Sequence, residues 1–244
     1  MPSFIIHHIS GERLLNNLNL NEEDRLLFLL GNLIPDSSKN NKKDIQKEKL
    51  ITHFRRIEDN NKLLMAPYPE DFLNKYKNII NNPTVLGYYF HLWMDKYYFN
   101  NIFKSSFIFL DKNYKETNIL SENVYIKIIK NNKLITRKEL FSQEYLYDDY
   151  TTMNKILLDR YNISFNIDEY NKIIPKFINP GIEEVDYKNV KSIINDMLFY
   201  INESKKRKET NLKVLDEDKI IKLIEDASKT FIEENKDLLK GLII

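Results

Sequence analysis

The sequence predicts an all-α fold, a multi-helix bundle with at most one small β-hairpin near residues 124–136. Apolar residues recur with helical spacing along most of the chain, and capping residues precede several of these stretches. A strand-like pattern is confined to the segment around residues 124–136. With 244 residues, of which 42% are hydrophobic, the chain can bury one large core.

The composition narrows the classes of function. The formal net charge is only +1, which gives no broad electrostatic reason to expect a nucleic-acid partner. The chain has no cysteine, so any metal ion must be held by His, Asp or Glu. No apolar run approaches the ~20 residues of a transmembrane segment, and we see no signal-peptide pattern, so we expect a cytoplasmic protein. The oligomeric state is not indicated.

The first helix is predicted over residues 3–18, with Ser3 as its N-cap. His7 lies on the apolar stripe, with Gly11 one turn later, whereas His8 is about 100° further round the helix. Either histidine could be the functional one, and the stripe favours His7. A structural role inside the core is the alternative for both.

A second helix is predicted from Asn21 to the neighbourhood of Pro35, which ends it. Asp36 therefore places a carboxylate at the end of a very apolar segment. This residue is either a turn residue or a metal ligand on a rigid helix end. The polar segment 37–49 is predicted to be a surface loop.

A third helical stripe contains Leu50, His53 and Ile57, which puts His53 on the apolar side. Arg55 and Arg56 follow directly. A guanidinium beside a metal ion would suit a phosphate oxygen, so Arg55 is a candidate substrate-binding residue. The alternative is an ordinary solvated surface.

The central helix is predicted to begin at Pro83 and to carry His91 and Asp95 on one face, because the two residues are four apart. Gly87 lies one turn before His91 and leaves room for a close approach. An imidazole and a carboxylate on one buried face are suitable ligands for a divalent metal. A core histidine held by a neighbouring helix is the alternative.

The later part of the chain offers fewer candidates. A further helix contains Asp148 and Asp149 among tyrosines, and either could be a late metal ligand or proton-transfer group, with Asp149 as the ligand candidate. A solvated helix face is the alternative for each. The break at 179–181 suggests a metal-binding helical domain over 1–180, with helices of 181–244 packed on it or appended to it, and we expect a single domain overall.

All four histidines lie within the first 91 residues. Burying them and the acids without partners would be expensive, and a shared metal would explain the set together. The predicted cofactor is one or two divalent ions, with zinc first and iron, manganese or nickel as alternatives. The metal candidates are His7, Asp36, His53, His91, Asp95 and Asp149.

The ordered motifs also resemble a family. Met1–Phe4 with His7, then Gly31–Asp36, Thr52–Phe54 and Leu86–Asp95 resemble the zinc-dependent phospholipase C family, whose fold is shared with P1 nuclease. The similarity is greatest to its small intracellular bacterial members.

The resemblance implies an all-α fold in which Asp36, His53, His91 and Asp95 bind a metal. It also implies that His7 binds a neighbouring ion bridged by Asp95. The chain departs from the family pattern because no histidine follows His91, so we expect one or two ions rather than three.

The leading hypothesis is a metal-dependent hydrolase of a small phosphate ester, with Asp36, His53 and Asp95 as catalytic residues. One alternative is a non-catalytic helical protein with a structural metal or a buried polar network. An HD-type phosphohydrolase is the second alternative, although the adjacent His-Asp of that class is absent from the sequence.

Overall fold

The chain folds mainly into helices, and a small antiparallel sheet lies in the middle of the sequence. This finding confirms the predicted helical class with a small hairpin. The computed structural model describes residues 2–37, 45–59, 61–63, 65–163, 165–208 and 210–244. The first five helices are α1 (Phe4–Leu15), α2 (Glu22–Gly31), α3 (Ile45–Thr52), α4 (Pro69–Tyr76) and α5 (Pro83–Tyr98).

A short π-helical turn, Phe99–Phe103, continues α5. The remaining helices are α6 (Lys104–Ser106), α7 (Arg137–Leu140), α8 (Leu146–Tyr161), α9 (Ile167–Ile173), α10 (Val190–Lys205) and α11 (Glu217–Glu234). None of the helices that the structure describes combines the length and apolar character needed to cross a membrane.

The sheet has three strands, in the order β1 (Phe107–Leu110), β2 (Tyr125–Ile128) and β3 (Leu134–Thr136), each antiparallel to its neighbour. The β2–β3 pair is the predicted hairpin. Strand β1 was not predicted, because a run of four apolar residues fits a buried strand and a buried helix turn equally well.

Local sequence explains where the first helices begin. The Ser3 side chain accepts a hydrogen bond from the backbone N–H of Ile6, and the Asn21 side chain accepts one from Asp24. The predicted loop 37–49 is partly wrong, since residues 45–49 belong to α3. Residues 38–44 of that loop lie outside the described residues.

Helices α2 and α5 cross in close contact. A Cβ atom at Gly87 would lie 2.0 Å from the carbonyl oxygen of Phe28, and one at Gly31 would lie 2.1 Å from that of Thr84. The two backbones therefore touch directly, which only glycine permits. The crossing brings the C-terminal end of α2 alongside His91.

The buried hydrophobic cluster extends from Phe4 to Leu239, so residues after 180 contribute to the same core as those before it. Helix α11 is also tied to α5 by polar contacts: Trp93 donates to Glu234 at 2.6 Å, and the Tyr89 hydroxyl donates to Asn235 at 2.7 Å. The proposed division at residue 180 stays a prediction.

The glycine crossing makes a testable prediction. Gly87→Ala should lower the free energy of unfolding by about 3 kcal/mol, because the added methyl group meets a backbone carbonyl rather than a mobile side chain. Urea unfolding measures the change. Gly241→Ala is the control, since nothing lies within 4 Å of its Cβ and its positive φ alone should cost roughly 1–2 kcal/mol. Equal unfolding midpoints for Gly87→Ala and the wild type would contradict the crossing.

Candidate metal centre

The α2–α5 crossing fixes His91. Its Nδ1 lies 2.8 Å from the backbone carbonyl oxygen of Asn32. A carbonyl can only accept a hydrogen bond, so Nδ1 carries the proton and Nε2 keeps its lone pair. The lone pair faces the Nε2 atom of His53, at 3.4 Å. A backbone acceptor on one ring nitrogen is the usual way in which a metal-binding histidine is oriented.

Asn32 also holds the first helix, through its side chain. The amide nitrogen of this buried residue donates to the backbone carbonyl of His7 at 2.6 Å. One residue therefore positions both α1 and the His91 ring. The His7 and His91 rings stack, with centroids 3.9 Å apart and an interplanar angle of 9°.

His53 is placed by the turn that ends α3. The backbone N–H groups of Phe54 and Arg55 donate to the carbonyls of Ile51 and Leu50, and Phe54 adopts a positive φ of 48°. These are the hydrogen bonds of a Schellman turn, with a bulky residue in the position that usually holds glycine.

Contacts around the turn hold its strained conformation. The Tyr88 hydroxyl donates to the carbonyl of Thr52 at 2.6 Å, and the Phe54 ring packs edge-on against Phe72. A strained residue beside a candidate ligand is the kind of backbone outlier that clusters at functional sites.

Both carboxylates of the cluster are close to histidines. Asp36 ends the short 3₁₀ turn Ile34–Asp36, and its Oδ1 lies 3.5 Å from His53 Nε2. Asp95 reaches two imidazoles, with Oδ1 3.3 Å from His7 Nε2 and Oδ2 3.7 Å from His53 Nε2. The Asp95 carboxylate thus lies between His7 and His53.

The distances and the unsatisfied atoms together fit a metal site. Two ligands of a tetrahedral zinc ion, each ~2.0–2.1 Å from the metal, lie roughly 3.3 Å apart. The imidazole–carboxylate distances above are close to that value and longer than the ~2.7–2.9 Å of a charge-assisted hydrogen bond. Both ring nitrogens of His7, both oxygens of Asp95 and Oδ1 of Asp36 are buried without a hydrogen-bond partner.

Two groups of three side chains could each hold a metal ion. One group is His7, His91 and Asp95, and the other is Asp36, His53 and His91; the ligand atoms within each group lie within 4.8 Å of one another. His91 belongs to both groups but has one available nitrogen. Two ions would therefore need Asp95, which offers an oxygen to each side, as the shared ligand.

Electrostatics favour the protonation states that metal ligands require. Burial alone would raise the pKa of Asp36, but the Lys49 ammonium and His53 outweigh it and hold that pKa well below its usual value. Asp95 shows the same balance: burial is opposed by His7 and the other imidazoles, and its pKa is lowered. Burial lowers the pKa of His53 and takes that of His91 to about 3. The carboxylates are then charged at neutral pH, and His53 and His91 are neutral.

A cavity of about 1200 Å³ reaches the cluster from one side. Asp36 is the candidate ligand that lines it, next to Lys49 and Arg55. His7, His53, His91 and Asp95 are fully buried behind that edge. Aromatic side chains form much of the remaining wall, including Phe99, Phe103, Phe141, Tyr147, Tyr150 and Phe199.

The structure brings together five of the six predicted metal ligands, and Asp149 is the exception. Its carboxylate accepts hydrogen bonds from the backbone N–H groups of Lys213, Val214 and Leu215, at 2.7–2.8 Å. With both oxygens used, Asp149 anchors the connection between α10 and α11, and we withdraw it as a candidate ligand. The neighbouring Asp148 is paired with Arg207 and Lys213.

The structure also separates the two adjacent histidines. His7 belongs to the cluster, whereas His8 packs edge-on against Phe165, with its Nε2 4.0 Å from Glu12. Asn32 and Lys49 were not predicted to belong to the site. The position of Asn32, directly after Gly31 at a helix end, was a usable signal for it. Lys49 stands in a polar stretch that carries no signal of a site.

Searches of protein-family models, curated proteins and solved structures find no match to the chain. The resemblance to zinc-dependent phospholipase C therefore rests on the ordered motifs, and it stays an expectation.

The reassignment of Asp149 can be tested. Asp149→Asn should lower the free energy of unfolding by about 2–3 kcal/mol, because the amide presents one oxygen to three N–H donors. Elemental analysis should find its metal content unchanged, whereas Asp36→Asn should reduce it. Loss of metal from Asp149→Asn would return this residue to the ligand set.

His8 predicts a pH dependence of stability. Burial lowers its pKa from 6.5 to about 4, so between these values the unfolded chain binds a proton that the folded chain does not. Stability due to His8 is present above pH ~6.5 and is lost as the pH falls. From pH 7 to pH 5 this loss should be about 2 kcal/mol larger in the wild type than in His8→Gln, measured by urea unfolding. Equal losses would contradict the assignment.

Proposed function

We propose that this protein is a metal-dependent hydrolase that acts on phosphate esters. The observation that carries the proposal is the arrangement of five buried side chains whose ligand atoms face one another: His7, Asp36, His53, His91 and Asp95. The ligand atoms of His7, Asp36 and Asp95 have no hydrogen-bond partner. A large cavity reaches this cluster at the edge where Asp36 lies beside two cationic residues. Candidate metal ligands, a route from solvent and positive charge therefore occur together at this edge of the cavity.

The positions of the nitrogen and oxygen donors divide the candidate ligands between two ions. Asp36, His53, His91 and Asp95 would hold one ion, and His7 with the second oxygen of Asp95 would hold a neighbouring one. Nitrogen and oxygen ligands of this kind suit zinc, and also iron, manganese and nickel. When bound, a divalent ion lowers the pKa of water and polarises a phosphoryl oxygen, which is the chemistry that ester hydrolysis requires.

Each side chain would have the role that its position allows. Asp36 borders the cavity and would orient water at the cluster edge, while Asp95 and His53 would complete the ligand set behind it. The Arg55 guanidinium, on the wall of the same cavity, would bind a phosphate oxygen. The aromatic walls would enclose the organic part of the ester and limit the access of water to it.

A structural metal, or a buried polar network, is the second candidate. It is supported by the complete burial of His7, His53, His91 and Asp95. Chelation separates the two candidates, since the free energy of binding at a structural site is also folding free energy. If chelation unfolds the protein and no phosphate ester is hydrolysed before it, the structural role is favoured.

A matched pair of variants tests the site. His7→Gln should lower the metal content and reduce hydrolysis of a phosphate-ester panel by more than the ~10–100-fold typical for residues that only orient ligands. His8→Gln, on the same helix, should keep both. Elemental analysis of protein purified without a histidine tag measures the metal, and release of 4-nitrophenol measures the activity. If metal-loaded wild type and His91→Ala are equally inactive on every ester, the hydrolase proposal is wrong.

A further inference from the structure

Lys49 lies at the edge where the cavity meets the candidate metal centre. Its Nζ atom is 3.4 Å from Oδ1 of Asp36, and its side chain is 22% exposed. Lys49 and Arg55 both line the cavity there. Two cations therefore lie at the edge where only one candidate ligand, Asp36, reaches the cavity. Their charge can be compared with that of the candidate ligands.

Four ionised side chains at the candidate metal centre carry charges that cancel. The two ionised carboxylates, Asp36 and Asp95, are matched by Lys49 and Arg55, and imidazoles bind metals in their neutral form. The charge of any bound divalent ion is therefore not compensated by these residues. Because uncompensated charge is costly away from water, the ligand that completes the site should be strongly anionic. A phosphate dianion balances one divalent ion fully, whereas a monoanion balances half of it.

The backbone holds the two cations on either side of one turn. The Schellman turn that ends α3 includes the hydrogen bond from the Arg55 N–H to the carbonyl of Leu50, the residue next to Lys49. Because the turn is fixed, the distance between the Cα atoms of Lys49 and Arg55 is constant. Charged donors held in this way can each bind a separate phosphate oxygen.

From this charge balance and placement we infer that Lys49 and Arg55 form a clamp that selects phosphate monoesters over diesters. The inference rests on the proposed function and adds Lys49 as a substrate-positioning residue. A monoester has three non-bridging oxygens, enough for the metal centre and both cations. A diester has two, so one of the three partners would be left without an oxygen.

The cavity indicates which organic group the phosphate ester carries. Its volume of about 1200 Å³ far exceeds that of a phosphate group, and its wall contains Phe199 and Tyr147, which are 59% and 46% exposed. Exposed aromatic faces inside a cavity suit a bulky apolar or aryl group. The substrate class is thus a dianionic phosphate monoester of such an alcohol.

Two esters with the same leaving group test the selection. Metal-loaded wild type should hydrolyse 4-nitrophenyl phosphate with a higher kcat/KM than methyl 4-nitrophenyl phosphate. Lys49→Met should lower kcat/KM for the monoester about 10- to 100-fold, the usual effect of losing a hydrogen bond to a charged group. The same substitution should lower kcat/KM for the diester less than for the monoester. Lys49→Arg should retain most of the wild-type activity on the monoester.

A second lysine of the cavity provides the control. The Lys206 ammonium is already paired with Glu203 at 2.5 Å, and Lys206→Met should leave the ratio of the two kcat/KM values unchanged. Metal content and the far-ultraviolet circular dichroism spectrum of Lys49→Met should match the wild type, which shows that the variant is folded and loaded. Loss of the Lys49–Asp36 ion pair should lower its unfolding temperature.

Binding gives a readout that does not depend on turnover. Calorimetric titration of the metal-loaded protein should show that inorganic phosphate binds more tightly than dimethyl phosphate, and that Lys49→Met removes most of the difference. An equal loss of kcat/KM for both esters in Lys49→Met, or a preference of the wild type for the diester, would overturn the clamp while leaving a hydrolase. Phosphate binding that depends on Lys49, without hydrolysis of any ester, would keep the clamp and refute the hydrolase. If phosphate does not bind, the clamp is refuted.

Discussion

The direct backbone contact between α2 and α5 is the constraint on which the site depends. Because Gly31 and Gly87 have no side chains, the C-terminal end of α2 lies against the face of α5 that carries His91. The carbonyl of Asn32 can then accept a hydrogen bond from His91, and its side-chain amide reaches α1 at His7. Helix packing therefore selects the tautomer of one ligand and the position of another.

The cluster behind this crossing has an unusual balance of burial and pairing. Carboxylates and imidazoles are rarely buried without partners, since each unsatisfied group costs free energy. Here several ligand atoms of His7, Asp36 and Asp95 lack hydrogen bonds but point toward one another. A shared cation would account for all of them together, while separate hydrogen bonds would have to be shorter than the distances observed.

Much of the cluster could be predicted from helical spacing, and the limits of that method are physical. His91 and Asp95 are four residues apart on one helix, so their meeting is a local property. The apolar stripe of α1 likewise separated His7 from His8. Proline and a long apolar run marked Asp36 as a carboxylate at a helix end.

Features that depend on distant backbone could not be predicted in this way. The carboxylate of Asp149 is visible in the sequence, but the three N–H groups that occupy it belong to residues 213–215. Lys49 reaches Asp36 across a polar segment whose composition does not indicate a helix. Strand β1 is a short apolar run that becomes a strand because it pairs with β2.

The burial of the cluster has a kinetic consequence. Four of its five ligand side chains are sealed from solvent, and the cavity touches the set at Asp36. Exchange of an ion between this pocket and bulk solution should therefore be limited by local opening on the Asp36 side of the cluster. The exchange rate of a captured ion would then report the frequency of that local opening, which makes slow isotope exchange a probe of backbone motion rather than of affinity.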